Sequence, residues 1–199
     1  METGVGFGYK IEWLAVRFRS AESVAASLGL GPLSPATWQD AVAAAYAGAW
    51  LLTPPVEGWT LAASIEVRAP DDSRFGPWLA RLSASLGEVQ YFGTHRVVEY
   101  HGWGRANGGV VDRAYAYLGE RGEVLFHAGE PTPEEQALGV GFVPDDDWWD
   151  SWDEDDDDPW PDEETVLTLA GRWSLDPRTL DGAQLAGSPW IAEPTGRPT

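Results

Sequence analysis

The stretch EVQYFGTHRVVEYHGWGRANGGVVDRAYAYLGERGEVLFH, from Glu88 to His127, decides the fold. Within it EVQYF, HRVVEYHGW, VVDRAYAYL and EVLFH are rich in β-branched and aromatic residues and are parted by short Gly- or Asn-containing links, which is the texture of strands. Parallel neighbours need a crossover of about a dozen residues, so strands spaced this closely form an antiparallel meander. GERG, Gly119 to Gly122, reads as a tight hairpin connection.

Helical patterns flank the meander. Before it, Phe75, Trp78, Leu79, Leu82 and Leu86 recur at three- and four-residue spacing and Gly87 ends the run, predicting a helix. Further upstream, Glu12 to Phe18 and Trp59 to Val67 read as strands. Ser20 caps a short helix that stops at Gly29, and Ser34 with Pro35 predicts a second helix whose Trp38, Val42, Ala45 and Tyr46 share one face. Downstream, Thr132 and Glu135 have the spacing of a capping box, Asp162 caps a helix through Leu169, and Asp176 with Pro177 starts a last short one ending near Gly182. Helices early, antiparallel strands in the middle and helices late predict one α+β domain over residues 1–192, with helices packed mainly on one face of the sheet. Residues 193–199, EPTGRPT, are expected to be a flexible tail.

With 199 residues, 43% of them hydrophobic, and 12 tryptophans, the chain can bury a substantial core. A formal net charge of -19 argues against direct binding to nucleic acid or to an anionic membrane, both of which need a positive surface. Cysteine is absent, which excludes disulfides and thiolate metal sites. METGVGFGYKIEWL lacks a basic segment followed by an apolar one, and no apolar run approaches the roughly 20 residues that span a bilayer, so a cytoplasmic protein is expected. No nucleophile elbow, phosphate loop, zinc-protease helix or dinucleotide glycine pattern occurs, and no cofactor is expected.

LTPPVEGWTL, GEVQYFGTHRVVEYHGW, RAYAYLGERGEVLFHAGEPTPEEQALG and PDEETVLTLAGRWSLDP resemble motifs of a family of uncharacterised proteins from high-GC bacteria. The resemblance runs from Trp38 to Asp181 and implies no activity or site residue.

All three histidines lie in the meander. Read as one strand, Thr94 to Trp103 places His95, Val97, Glu99, His101 and Trp103 on one face, with His95 and His101 about 20 Å apart. Glu99 and His101 are close enough to share a proton or a ligand, and His127 on a partner strand is placed to join them. The simplest reading is a polar cross-strand cluster whose members satisfy one another. The alternative is a metal-dependent or acid/base enzyme built on Glu99, His101 and His127, with Arg105 or Arg113 holding an anionic substrate. LTLAGRWSLDPRTLDG has the rhythm of a helix-turn-helix, but with only Arg172 and Arg178 positive it reads as a packing helical hairpin.

PDDDWWDSWDEDDDDPWPDEE, Pro144 to Glu164, holds 13 of the 32 acidic residues and four tryptophans. Asp153, Asp155, Asp157 and Glu164 match the spacing of a calcium loop, yet its sixth position is Asp158 where glycine is needed, and Pro159 and Pro161 follow. The bland reading is a solvated loop whose rings fold back on their own domain. The sharper one is a docking surface for a basic protein such as a toxin or nuclease. In it Trp148, Trp149, Trp152 and Trp160 are the anchors, and Asp145, Asp146, Asp147, Asp153, Asp155, Asp156, Asp157 and Asp158 the electrostatic rim. The expectation is a non-enzymatic inhibitor or regulator in the manner of an immunity protein or a nucleic-acid mimic.

Overall fold

Nine short runs of β-forming sequence assemble edge to edge into one twisted antiparallel sheet. The structure, a computed structural model, describes residues 1–70, 73–143 and 160–195. Its elements in chain order are β1 (Glu2–Thr3), β2 (Ile11–Arg17), α1 (Ala21–Leu28), β3 (Ser34–Pro35), α2 (Trp38–Ala45), β4 (Trp50–Leu52), β5 (Trp59–Ser64) and α3 (Phe75–Leu86). The meander follows as β6 (Val89–His95), β7 (Tyr100–Asn107), β8 (Val110–Leu118), a 3-10 turn (Gly119–Arg121) and β9 (Glu123–Ala128). Then come α4 (Pro133–Gln136), α5 (Glu163–Trp173), a second 3-10 turn (Pro177–Leu180), β10 (Gln184–Leu185) and β11 (Trp190–Ala192). The strand order in the large sheet is β3-β11-β4-β5-β2-β6-β7-β8-β9, and β1 pairs separately with β10.

The fold is α+β with a mostly antiparallel sheet, and the meander β6–β9 forms one half of it. The helices divide between the two faces instead of gathering mainly on one. Successive side chains on a strand point to opposite faces, and β2 is buried along nearly its whole length: Trp13 and Ala15 face one way, Leu14 and Val16 the other. A sheet apolar on both faces needs cover on both. The first face is covered by α2 and α5, through Trp38, Val42, Val166, Leu167 and Trp173. There Trp13 stacks on Phe92 with ring centroids 5.4 Å apart. The second face is covered by α1 and α3 through Val24, Phe75, Leu79 and Leu82. On that side Gly104 lets α3 approach, since a Cβ there would sit 3.2 Å from a Leu79 methyl and 3.3 Å from the Phe75 ring.

Local signals place most helix ends. Ser20 accepts from the Ser23 amide at the start of α1, and Gly29 closes it in the left-handed conformation. The Thr132/Glu135 capping box is formed, and Asp162 caps α5. The second helix begins later than its Ser34-Pro35 signal predicts. Those two residues pair with β11 as an edge strand, where proline is tolerated, and Thr37 is the cap of α2, accepting from the Asp40 amide. The chain is also held beyond residue 192: the Gly31 amide donates to the Glu193 carbonyl at 2.8 Å, and Leu30 bridges Pro194. The helix-turn-helix rhythm of residues 167–182 is a packing unit, with Val166, Leu169, Pro177 and Leu180 buried and Arg178 tied to Asp176 at 2.8 Å and to Glu164 at 2.6 Å.

The tip of the β6–β7 hairpin decides where the site lies. Thr94 to Trp103 is two strands and not one: the chain reverses at Arg96–Glu99, and Glu99 takes a positive φ of 53°. Four-residue hairpin loops need such a left-handed position, and here a glutamate occupies it without the glycine that would flag a turn in sequence.

Candidate functional site

The reversal at Arg96–Glu99 changes which residues meet. His101 lies opposite Thr94 on β6 and Tyr117 on β8, while His95 lies opposite Tyr100, itself opposite Leu118. These are adjacent rows, so the two imidazoles point to opposite faces of the sheet. The separation of His95 and His101 along a single strand, and the shared face that went with it, do not occur.

On the first face, His101, Glu99, Arg96, Trp160, Asp162 and Glu163 line a cleft of about 380 Å³, with Tyr117 and Glu164 completing its wall. Its base is built by β7 and β8 and its rim by the start of α5. Trp160 lies flat on Tyr117, ring centroids 4.4 Å apart and planes at 4°, with Phe142 on the same cluster at 6.3 Å. Trp160, expected as a partner anchor, therefore rests on its own domain, partly buried, and forms one wall of the cleft. Trp148, Trp149 and Trp152, together with Asp145, Asp146, Asp147, Asp153, Asp155, Asp156, Asp157 and Asp158, lie outside the described residues.

His101 is 4% exposed and its Nδ1 is 3.0 Å from the Thr94 hydroxyl. Among the described residues its Nε2 has no hydrogen-bond partner. Burial pushes the imidazole down to about 4, against the pull of the nearby Asp162 carboxylate, so His101 is neutral at physiological pH. Asp162 is held below the usual carboxylate range by hydrogen bonds from the Thr165 amide and hydroxyl, which outweigh its partial burial, so it stays ionised. The cleft thus combines a neutral acceptor or donor nitrogen, an aromatic wall, a rim of carboxylates and one cation, Arg96.

The three-residue grouping of Glu99, His101 and His127 is not assembled. Glu99 and His101 share the cleft, whereas His127 sits on β9 opposite Tyr115, exposed and away from it. Among the described residues no three imidazole or carboxylate groups come together to hold a metal ion. Arg113 has no freedom to grip a substrate. It is 1% exposed, pairs with Glu135 at 2.8 Å and donates to the Gly129 carbonyl at 2.9 Å and to that of Gly141. Arg105 reaches Asp112 at 3.4 Å and lies over the Trp173 ring at 5.2 Å.

One pairing escapes the sequence reading. His95 Nε2 lies 2.6 Å from Glu12 Oε1, joining β6 to β2 on the second face. Burial pushes the Glu12 carboxyl up, and the hydrogen bond to Glu12 holds His95 above its ordinary value. The signal for it is a glutamate at the inward position of EWLAVRF, between the buried Ile11 and Trp13 of a strand with apolar cover on both sides. A charge placed there requires a partner.

No protein-family model, no curated protein and no solved structure matches this chain.

Proposed function

We propose that this protein is a non-enzymatic acidic binding protein that docks on a basic protein partner and inhibits or regulates it, in the manner of an immunity protein. The observation that carries the reading is the composition of the Trp160 cleft. Glu99, Asp162, Glu163 and Glu164 ring an opening whose wall is the Trp160 indole laid on Tyr117. An arginine or lysine side chain entering it meets carboxylates that accept charge-assisted hydrogen bonds, each worth about 1.5–3 kcal/mol, and an aromatic surface worth about 0.5–2 kcal/mol more. Neutral His101 adds no positive charge to oppose it, and the one cation of the described lining, Arg96, faces four carboxylates. The net charge of -19 supplies long-range attraction to a basic surface.

The test uses the full chain as bait. A basic protein captured from the source cells is purified, and its Kd is measured at about 50 and about 300 mM salt, on either side of the physiological Debye length. Binding is expected to weaken steeply with salt, to be lost when residues 145–158 are deleted, and to weaken about tenfold or more in Asp162→Asn/Glu163→Gln. Equal affinity for the deletion variant and the parent defeats the proposal.

A further inference from the structure

The second face carries a different opening. A cavity of about 420 Å³ is walled by Val98, Tyr100, Leu118 and Leu125, with His95 and Arg121 lining it and Glu12 behind His95. Its volume falls within the range of small-molecule sites, which are mostly apolar with a few placed polar groups. The polar groups here are cationic, in a chain whose surface is otherwise strongly acidic. Arg121, exposed on the 3-10 turn, makes no ion pair or hydrogen bond among the described residues, unlike Arg17, Arg113 and Arg178, which are paired to carboxylates. His95 is oriented: Nε2 is engaged by Glu12 at 2.6 Å, which leaves Nδ1 as its free nitrogen. Glu12 depends on that bond, because its other oxygen is buried and has no partner among the described residues. The hydrogen bond to the Glu12 carboxylate holds the His95 imidazole above its ordinary value, which favours the charged ring facing the cavity.

We propose that this cavity is a binding site for a small amphipathic monocarboxylate, its carboxylate held between Arg121 and His95 and its hydrocarbon body laid against Val98, Tyr100, Leu118 and Leu125. With Glu12 ionised and His95 protonated, the described groups lining the cavity sum to one positive charge, which matches one carboxylate and disfavours a cation. Phosphate or sulfate supplies the charge but leaves the apolar walls unfilled. Glu12 is a positioning residue that keeps His95 charged and oriented. The charged groups acting on the pair are Glu66 beyond β5, which faces Glu12, and Glu163 at the start of α5, which faces His95; Arg121 lines the same cavity, and the neighbouring His101 on β7 is neutral. Glu163 supports the imidazolium, whereas Glu66 acts on Glu12 and pushes its carboxyl up.

The probe is hexanoate, titrated into the full chain while the His95 imidazole is followed by NMR, with acetate and 1-hexanol as comparisons. Saturable binding that shifts the His95 resonances is expected, about tenfold or more tighter for hexanoate than for acetate, because several buried CH₂ groups distinguish them. The same preference over 1-hexanol is expected from the charge. Arg121→Gln, a change at an exposed side chain that leaves the core intact, raises Kd about tenfold. Trp160→Ala, in the opposite cleft, leaves it unchanged. Affinity falls as pH rises and His95 loses its proton, and this dependence is absent in His95→Gln. No saturation below ~10 mM overturns the proposal. So does an Arg121→Gln variant that titrates like the parent, or acetate or hexanol binding as well as hexanoate. None of these results bears on the acidic docking surface, whose test uses other residues and another ligand.

Discussion

Replacing Glu135 by glutamine removes one charge from a buried polar cluster that ties α4 to the sheet. Glu135 is fully buried, and its carboxylate accepts from three donors: Arg113 Nε, which reaches both oxygens at 2.8 and 3.0 Å, the Trp103 indole at 2.6 Å and the Thr132 amide at 2.8 Å, with Arg113 Nη2 forming the ion pair at 2.8 Å. Glu135→Gln keeps the shape but leaves Arg113, 1% exposed, without its anion. Breaking a buried pair in this way costs about 3–5 kcal/mol, because the remaining charge is uncompensated. Against a typical total stability of about 5–15 kcal/mol this is a large fraction. For a chain of 199 residues each kcal/mol corresponds to roughly 2–4 °C, so Tm falls by about 6–20 °C. The assay is urea unfolding monitored by tryptophan fluorescence, with the m-value checked for a change in the unfolded state. Arg113→Met/Glu135→Met is expected to lose at least ~2 kcal/mol less than the sum of the single changes, since removing both charges removes the desolvation problem. A Glu135→Gln loss under ~1 kcal/mol, or simple additivity in the double variant, refutes this account of the tie between α4 and the sheet.

Gly129 has a φ of 72°, and a Cβ there would come 2.0 Å from the Asp112 carbonyl oxygen, so Gly129→Ala is expected to lose at least ~2 kcal/mol by urea unfolding from backbone strain and collision together. Burial lowers His101 from 6.5 to about 4, so its contribution to stability is present above 6.5 and is lost as pH falls toward 4. That loss amounts to about 3 kcal/mol, and unfolding of His101→Gln against pH is expected to lack it. His95 has the opposite sign. Its pKa is raised, so its stabilisation is complete below 6.5 and fades as pH climbs through the folded value, a fall that His95→Gln should abolish. Trp160→Ala removes a stacked pair with Tyr117 and is expected to cost about 1–3 kcal/mol in thermal unfolding while weakening capture of a basic partner.

The parts of the fold legible in sequence were those with local punctuation. Ser20 and Gly29, Thr132 and Glu135, Asp162, and the 3.6-residue period from Phe75 to Leu86 each state a helix end or face within a few residues, and each is realised. The meander was legible because close spacing excludes crossovers. The hairpin tip was not, because a left-handed Glu99 carries none of the residues that ordinarily mark a turn. That one reversal separates His95 from His101 and gives His95 to Glu12, 83 positions away. Placement of helices on both faces was hidden for a related reason. EWLAVRF alternates only weakly, and near-continuous burial along β2 means that both faces of the strand are covered. The role of Arg113 was equally non-local, since its partner lies across a strand and a helix cap.

The two openings flank the same hairpin tip yet carry opposite charge, and salt separates their ligands. At the Trp160 cleft, remote carboxylates and near ones act in the same direction on a cationic partner, so screening weakens both and affinity falls with ionic strength. At the His95 cavity they oppose each other. The net charge of -19 repels an incoming carboxylate over distances near or beyond the roughly 8 Å Debye length at physiological salt, whereas Arg121 and His95 attract it at contact, where screening is weakest. Adding salt therefore removes more repulsion than attraction. Hexanoate affinity is expected to stay level or rise between about 50 and about 300 mM salt, while affinity for a basic protein drops. Hexanoate binding that falls in parallel with basic-protein binding would mean that the attraction comes from diffuse charge and not from two cations set against an apolar wall.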